Sequence, residues 1–369
     1  MKRTLPIIII SICLSCLFSV MGISQDLHFS QFQTAPLWSN PAFTGDFGGD
    51  MRFIANYRNQ WQALPAPYNT GIFSVDTKVQ VPNSFSHFGI GAVVYKDQAG
   101  DLGFHTTSAQ LSLAYNMYLG SSRKSDFYVY AGAQYGRIRQ GYDISKAHLE
   151  NAGQEIDWAG SIGYNDVAAG IAGVWVMPHA FFYGGAAISH FNNPTVSFSL
   201  QKVDQLPQDE NVFLSPKLDI HLAGNISLAN QQVSLLPVVQ YLHQQDHAAW
   251  IFGADLMFNN LRQKYFNTTL DWTVGVHHRL QDAFIVSTKF RLSEQYNFGI
   301  SYDLPVSKIQ NPSNAYGAVE IFISVTIPRK LKQGDSPRQG GGIINIKCPS
   351  AGARPNEKNP WYRDNGVGF

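Results

Sequence analysis

The chain has 369 residues, a formal net charge of +1 and a charged fraction of 14%. This balance argues against a nucleic-acid binder, which needs a basic surface to offset phosphate charge. Aromatic residues make up 13% of the chain, with 24 Phe and 17 Tyr, a content that suits the aromatic girdles of a membrane protein.

The first 24 residues have the pattern of a secretory signal peptide. Lys2 and Arg3 supply a positively charged start, and Leu5–Val20 forms an apolar stretch. Gly22–Ser24 then places small residues at the two positions that signal peptidase reads, which predicts cleavage before Gln25. The apolar stretch is short for a transmembrane anchor, and no stop-transfer pattern follows it.

The cysteines argue against two other arrangements. A lipoprotein signal needs a small-residue box before Cys16, but Cys13 stands where a Leu is wanted. After removal of the signal, Cys348 is the only cysteine, so the mature chain cannot form an intramolecular disulfide.

Residues 25–50 are irregular and rich in Gly, Pro and Asn, which predicts a structured lead-in or a plug. Within them, Asn40-Pro41 and Thr44-Gly45 predict turns, because Pro fixes φ and Gly allows positive φ.

Residues 51–328 alternate apolar and polar side chains almost throughout. In Lys217–Ala229, for example, one face contains the apolar residues Leu218, Ile220 and Leu222. The residues between them, on the polar face, are Asp219, His221 and Ala223. Alternation over ~10 residues is typical of a tilted membrane strand, whereas the strands of a soluble sandwich are usually ~5–6 residues long. The pattern predicts an all-β fold, a transmembrane outer-membrane β-barrel of about 14 antiparallel strands.

Fourteen strand starts can be placed, and an even count puts both ends of the barrel on the periplasmic side. The predicted starts are near Met51, Thr70, Phe88, Phe104, Phe127, Asp166, Ala180, Lys217, Val233, Trp250, Thr268, Phe284, Gln295 and Gly317. The long connections Gln140–Asn165, Ser189–Pro216 and Asp303–Tyr316 then all fall outside the cell, as expected for such barrels.

The two faces of the predicted strands differ in composition. The inward faces are interpreted as mainly Ser, Asn, Gly, Ala and Gln, without the rings of charge expected of a porin. Aromatics near strand ends predict an interfacial girdle. These residues are Tyr57, Tyr95, Tyr115, Tyr118, Tyr135, Trp175, Tyr183, Tyr241, Trp250, Trp272 and Tyr302.

Residues 329–369 follow the last strand as a Gly/Pro/Asn-rich tail, predicted to be flexible and periplasmic. The tail ends in Trp361, Tyr362 and Phe369. Aromatics on a flexible arm are typical anchors, so one hypothesis is that the tail docks into the lumen or onto a periplasmic partner. The alternative is a solvated, disordered end.

No catalytic or metal-binding motif is present, and we predict no enzyme activity, no cofactor and no metal. His243 and His247 are interpreted as part of an outer loop. His277 and His278 are adjacent on a strand and therefore point to opposite faces, so they cannot chelate one ion together.

Several short motifs together resemble the PorP/SprF family, the outer-membrane barrels of the Bacteroidetes type IX secretion and gliding apparatus. The motifs are Leu27-His28-Phe29-Ser30-Gln31-Phe32, Pro36-Leu37, Asn40-Pro41-Ala42, Thr44-Gly45, Tyr57-Arg58-Asn59-Gln60-Trp61, Ser74-Val75-Asp76, Gly89-Ile90-Gly91, Ser301-Tyr302-Asp303, Gly317 and Glu320-Ile321. Cys348-Pro349 is similar to the family's near-terminal Cys-Pro, but here residues 350–369 follow it.

The resemblance implies an accessory barrel that supports secretion or surface attachment of a large adhesin or other cargo. Implied partners are outer-membrane lipids, the PorK–PorN ring and a PorE-like protein. Candidate partner-binding residues are His28, Phe29, Phe32, Asn40, Pro41, Tyr57, Arg58, Trp61, Cys348, Trp361, Tyr362 and Phe369. The signature residues up to Trp61 could instead only fold the lead-in onto the barrel mouth. The alternative functions are a general porin for small solutes and, third, an outer-membrane enzyme.

Overall fold

The structure, a computed structural model, contains one closed barrel. It describes residues 29–60, 68–82, 84–100, 103–122, 125–142, 161–196, 212–228, 232–262, 269–293, 295–306 and 317–328. The fourteen strands are β1 (Met51–Gln60), β2 (Tyr68–Gln80), β3 (His87–Ala99), β4 (Phe104–Ser122), β5 (Ser125–Gly141), β6 (Ser161–Val176), β7 (Ala180–Ser189), β8 (Lys217–Leu228), β9 (Val233–Gln244), β10 (His247–Arg262), β11 (Thr269–Arg279), β12 (Ala283–Leu292), β13 (Tyr296–Pro305) and β14 (Ala318–Ile327).

Each strand pairs with its neighbours in the chain, and β1 pairs with β14 to close the sheet. All pairs are antiparallel, and Met51 lies opposite Ile327 where the barrel closes. The predicted fold class and strand count are therefore confirmed. Within the described residues, no helix has the length and apolar character needed to cross a membrane.

The alternation in the sequence becomes two distinct barrel surfaces. On β8, Ile220 and Leu222 are 45% and 56% exposed, whereas Asp219 and His221 between them are buried. Exposed and buried side chains alternate in the same way along other strands, for example β5, β11 and β13. The outer surface is therefore apolar, as contact with lipid requires, and the polar side chains point into the lumen.

The connections at the two ends of the barrel differ in length. One end carries residues 142–160, 190–216 and 306–317, and the longest connections at the other end are 81–86 and 263–268. Outer-membrane barrels have long extracellular loops and short periplasmic turns. We therefore call the end with the long connections the outer end, and the end that carries Met51 and Ile327 the inner end.

Two strands start earlier than the sequence indicated. β6 begins at Ser161 and β10 at His247, rather than near Asp166 and Trp250. The additional part of β6 pairs with β5, and Arg139 Nη2 donates to Ser161 Oγ at 2.9 Å across this pair. Such contacts form between two strands, so the alternation of residues within one strand does not predict them.

The placement of His243 and His247 in an outer loop was wrong. His243 lies in β9 and His247 in β10, on either side of a two-residue turn formed by Gln245 and Asp246. Gln245 has a φ of 51°, the left-handed conformation that tight hairpin turns use. The strands extend to this turn and leave no loop to carry the histidines.

The predicted aromatic girdle needs one correction. Tyr57, Tyr135 and Trp250 are exposed on the outer surface, but Tyr95 and Tyr183 are buried in the lumen. Both buried tyrosines sit in register with the inward-facing set of their strands, and each contacts a side chain of the lead-in segment. Tyr118 also belongs to the inward-facing set of its strand and packs against the buried cluster around Tyr128. Proximity to a strand end does not decide which face a residue occupies.

Candidate functional site

The lumen contains the chain segment that precedes β1. We call residues 29–50 the plug. Its ordered turns are a 3-10 turn (Phe32–Thr34), the short helix α1 (Pro36–Ser39) and a second 3-10 turn (Pro41–Phe43). Apart from Trp38, which is half-buried, every residue from Phe29 to Phe47 is buried. The plug is thus packed inside the barrel.

Apolar side chains of the plug pack against two parts of the wall. Phe43 makes an edge-to-face contact with Tyr183, with ring centroids 5.8 Å apart, and Phe32 belongs to the same buried cluster. On the other side, Trp38 meets Tyr95 edge-on at 4.7 Å. Aromatic pairs in this geometry add about 0.5–1.5 kcal/mol each beyond their buried area, so they favour the inserted state.

The amino end of the plug is bound by a cluster that we call the outer clasp, in which the charged side chains of Arg58, Arg279, Asp303 and Glu320 surround Ser30. The Ser30 backbone N–H donates to Glu320 Oε2 at 2.9 Å, and its hydroxyl donates to Asp303. Both arginines donate to the Ser30 hydroxyl oxygen. The side chains of all five residues are buried.

The charges of the outer clasp are also paired with each other. Arg58 Nη2 lies 2.7 Å from Asp303 Oδ2, and Arg58 Nη1 lies 3.1 Å from Glu320 Oε2. Arg279 Nη2 lies 3.0 Å from the same Asp303 oxygen. Arg279 also pairs with the half-exposed Asp282, with Nη1 2.6 Å from Oδ2. Each buried charge of the cluster therefore has an opposite charge beside it, which offsets the cost of burial.

A second cluster, formed by Arg52 and Asp76 and called the inner clasp, binds the carboxyl end of the plug. Arg52 donates to both carboxylate oxygens of Asp76, at 2.9 and 2.6 Å. The same guanidinium donates to the backbone carbonyls of Phe43 and Asp46, and the Gly45 N–H donates to Asp76 Oδ2 at 2.8 Å. Bidentate charge-assisted bonds are strong and directional, so this pair fixes where the plug turns into β1.

Asp46 is a buried carboxyl group beside the inner clasp. The Tyr130 hydroxyl donates to its Oδ1 at 3.3 Å. Burial raises the pKa of Asp46 from 3.8 to about 7, although Arg52 and Lys78 nearby act to lower that pKa. The proton on this group therefore depends on the plug being inserted.

The middle of the plug is attached through Asn40. Its side-chain oxygen accepts from the Ala42 N–H at 2.9 Å and so caps the second 3-10 turn. Its Nδ2 donates to the backbone carbonyl of Ile171 at 3.1 Å. A Cβ on either Gly170 or Gly185 would collide with the Asn40 side chain, so these wall glycines make room for the contact.

The remaining charges in the lumen correct the prediction of a mainly neutral lining. Lys289 Nζ lies 2.8 Å from Asp255, Arg291 Nε lies 2.8 Å from Asp271, and further buried acids and bases line the barrel. The sequence interpretation failed here because a charge can face the lumen when its partner lies on an adjacent strand, as for Arg291 and Asp271, or on the next strand but one, as for Lys289 and Asp255. These partners are 20 to 34 positions away in the chain.

The structure places the candidate partner-binding residues in different environments. Phe29, Phe32, Asn40 and Pro41 lie in the plug, and Arg58 lies in the outer clasp. Tyr57 faces outward and donates to Asn69 Oδ1 at 2.8 Å. The other candidates lie outside the described residues: His28, Trp61, Cys348, Trp361, Tyr362 and Phe369.

Sequence reasoning did not single out Arg52, Asp76, Arg279, Asp303 and Glu320 as site residues. The available signal was a charge at an inward-facing position of a membrane strand, since such charges are expensive unless they are paired. Three of the five also lie within or beside the family-like motifs, but the motifs do not show that they meet.

Nothing in the described part of the chain groups three or more His, Cys, Asp or Glu side chains in a way that could hold a metal ion. His277 is buried in the lumen, whereas His278 faces outward between the rings of Phe252 and Phe284. The prediction that the two histidines occupy opposite faces is therefore confirmed.

Together these features define an outer-membrane β-barrel whose lumen holds a buried segment of its own chain. The model of the family described as type IX secretion system membrane protein PorP/SprF matches residues 22–325, and the chain belongs to that family. The resemblance in the sequence motifs is thereby confirmed. It is a family of secretion-system membrane barrels and not a known enzyme family.

Solved structures of other barrels are similar at low sequence identity. The toluene transporter TodX from Pseudomonas putida has a TM-score of 0.46 at 8% identity, with 83% of this chain and 98% of TodX covered. CdiB from Escherichia coli has a TM-score of 0.44 at 9% identity, and the match covers 75% of this chain but only 62% of CdiB. A Pseudomonas aeruginosa FadL homologue has a TM-score of 0.41 at 10% identity, covering 79% and 92%. No curated protein sequence matches the chain at a significant level.

Proposed function

We propose that this protein is a non-enzymatic accessory barrel of the type IX secretion and gliding apparatus. It supports the secretion or surface attachment of a large adhesin or another cargo protein. In this role it contacts outer-membrane lipids and works with the PorK–PorN ring and a PorE-like protein. Family membership supports the link to the secretion system.

The observation that carries the proposal is the plug. A diffusion channel needs a continuous aqueous path, but this lumen holds a buried segment that is hydrogen-bonded at both ends to buried ion pairs of the wall. A hydrogen bond to a charged group contributes about 1.5–3 kcal/mol, and release of the plug would break several such bonds together. Spontaneous release of the plug is therefore rare, which favours an accessory role over free passage of small solutes.

The plug also bears on the candidate residues. Phe29, Phe32, Asn40 and Pro41 are buried against the wall, which favours a role in holding the plug over direct partner contact. Partner contacts are then expected from the cell-surface connections and from residues 329–369, where Trp361, Tyr362 and Phe369 offer aromatic anchors.

A deletion strain complemented with the wild-type gene tests the proposal. The proteins displayed at the cell surface and released into the medium would be quantified, together with uptake of small hydrophilic solutes. We expect loss of one or a few large surface proteins with unchanged solute uptake. Unchanged surface proteins with reduced uptake would instead identify a porin.

Co-purification provides the companion measurement. The tagged protein would be extracted from native membrane in mild detergent, and bound proteins would be identified for the full chain and for a variant lacking residues 350–369. We expect cargo or periplasmic components with the full chain and fewer of them with the truncated chain. Retention of every partner by the truncated chain would remove the tail from the proposal.

A further inference from the structure

The contacts of Ser30 place the amino end of the plug at the outer end of the barrel. Arg58, Arg279 and Asp303 lie within the last residues of β1, β11 and β13, all of which run toward the outer end. Glu320 is near the first residue of β14, which starts at the outer end. Four strands therefore locate Ser30 independently.

The following residues of the plug lead across the lumen toward the inner end. Asn40 contacts the carbonyls of Ile171 and Ala186, which are paired in the middle part of the wall. Gly45 then contacts Asp76, which is close to the inner end of β2. The chain reaches the inner end there and turns directly into β1 at Met51.

The plug therefore runs through the lumen in the direction opposite to that of β1. β1 spans ten residues, which at about 3.3 Å per residue is a rise of roughly 33 Å. Ser30 contacts Arg58 near one end of that strand, and the backbone of Asp46 contacts Arg52 near the other. The plug covers most of the barrel height before the first strand begins.

We propose that the chain enters the lumen through the outer mouth, so that the residues preceding Phe29 lie on the cell-surface side. With cleavage before Gln25, the mature amino terminus is then presented to the exterior, while the chain after Ile327 leaves the barrel at the periplasmic end. The two ends of the mature chain are thus available to partners on opposite sides of the membrane. This inference depends on the path of the plug and not on the secretion role.

The same path constrains assembly. Exported chains reach the outer membrane from the periplasm, so the segment before Phe29 has to pass the membrane region together with the strands.

Cysteine labelling tests the direction. In a Cys348→Ser background, Asp26→Cys would be compared with Asp246→Cys in the exposed outer turn and His179→Cys in the exposed inner turn. A bulky membrane-impermeant maleimide would be applied to intact cells and to lysed cells. The processed amino terminus would be verified by sequencing, and folding by heat-modifiable migration.

We expect Asp26→Cys to label in intact cells to an extent comparable with Asp246→Cys, while His179→Cys labels only after lysis. Absence of labelling of Asp26→Cys in intact cells would overturn the proposal, whether or not lysis exposes it. Leu27→Cys provides the second variant if Asp26→Cys disturbs signal cleavage. Loss of cargo display would not change the labelling pattern, so the two proposals fail separately.

Discussion

Ser30 and Glu320 are 290 positions apart in the chain, yet the Ser30 backbone N–H donates to Glu320 Oε2 at 2.9 Å. The bond connects the first described residues of the chain to its last strand. Both residues are buried and share the outer clasp with Arg58, Arg279 and Asp303. The clasp can form only when the barrel has closed around the plug, so it couples plug position to barrel integrity.

Replacing Ser30 with Ala should weaken the outer clasp. The change removes a hydroxyl that joins Asp303 to the two arginines, and loss of a partner from buried polar groups costs about 1–3 kcal/mol. Urea unfolding in lipid vesicles would measure the effect, with the exposed Ser122→Ala as matched control. Equal stability of the two variants would count against the clasp.

The inner clasp makes a prediction that depends on charge pairing. Arg52→Met and Asp76→Leu should each destabilise the barrel by about 3–5 kcal/mol, because each leaves one buried charge without its partner. The double variant should recover much of this loss, and a double-mutant cycle measures the coupling. Additive losses in the double variant would show that the pair does not act as a unit.

Two glycines on neighbouring strands offer a test of plug contact. A Cβ on Gly89 would collide with the Thr44 carbonyl in the plug, whereas a Cβ on Gly71 would meet nothing within 4 Å. Gly89→Ala should therefore displace the plug and lower the thermal midpoint, and Gly71→Ala should have little effect. Similar midpoints for both variants would mean that the plug does not press on β3.

The strand pattern could be predicted from the sequence because its cause is local. Ile220 and His221 differ in face simply by being adjacent on a strand, so reading the sequence alone places one in lipid and the other in the lumen. The early starts of β6 and β10 were missed because those extensions depend on the partner strand. The even strand count predicted that both ends of the barrel lie on the same side, and Met51 and Ile327 are paired at one end.

The clasps could not be predicted in the same way. Arg58 and Glu320 meet across 262 positions, and Arg58 and Asp303 across 245. No local pattern specifies such partners, since they are brought together by barrel closure. The sequence of the predicted lead-in also did not show in which direction the segment runs through the lumen, because the turns at Asn40 and Gly45 are compatible with either direction.

The pH dependence of stability should report on Asp46. Its pKa of about 7 in the folded protein exceeds the ordinary 3.8 because the carboxyl group is buried. Between these values the folded protein holds a proton that the unfolded chain releases, so this group's contribution to stability falls as the pH rises from about 4 to about 7. Asp46→Asn should flatten that part of the stability profile. An unchanged profile would contradict the assignment.

We infer that the plug occupies the lumen and keeps the barrel from acting as an open channel. Single-channel recording in planar bilayers tests it most directly, comparing the intact protein with a variant that lacks residues 29–44. Folding of both would be checked by circular dichroism and heat-modifiable migration. We expect little steady current through the intact protein and a large, stable conductance through the deletion variant. Large, stable, porin-like conductance of the intact protein would contradict it.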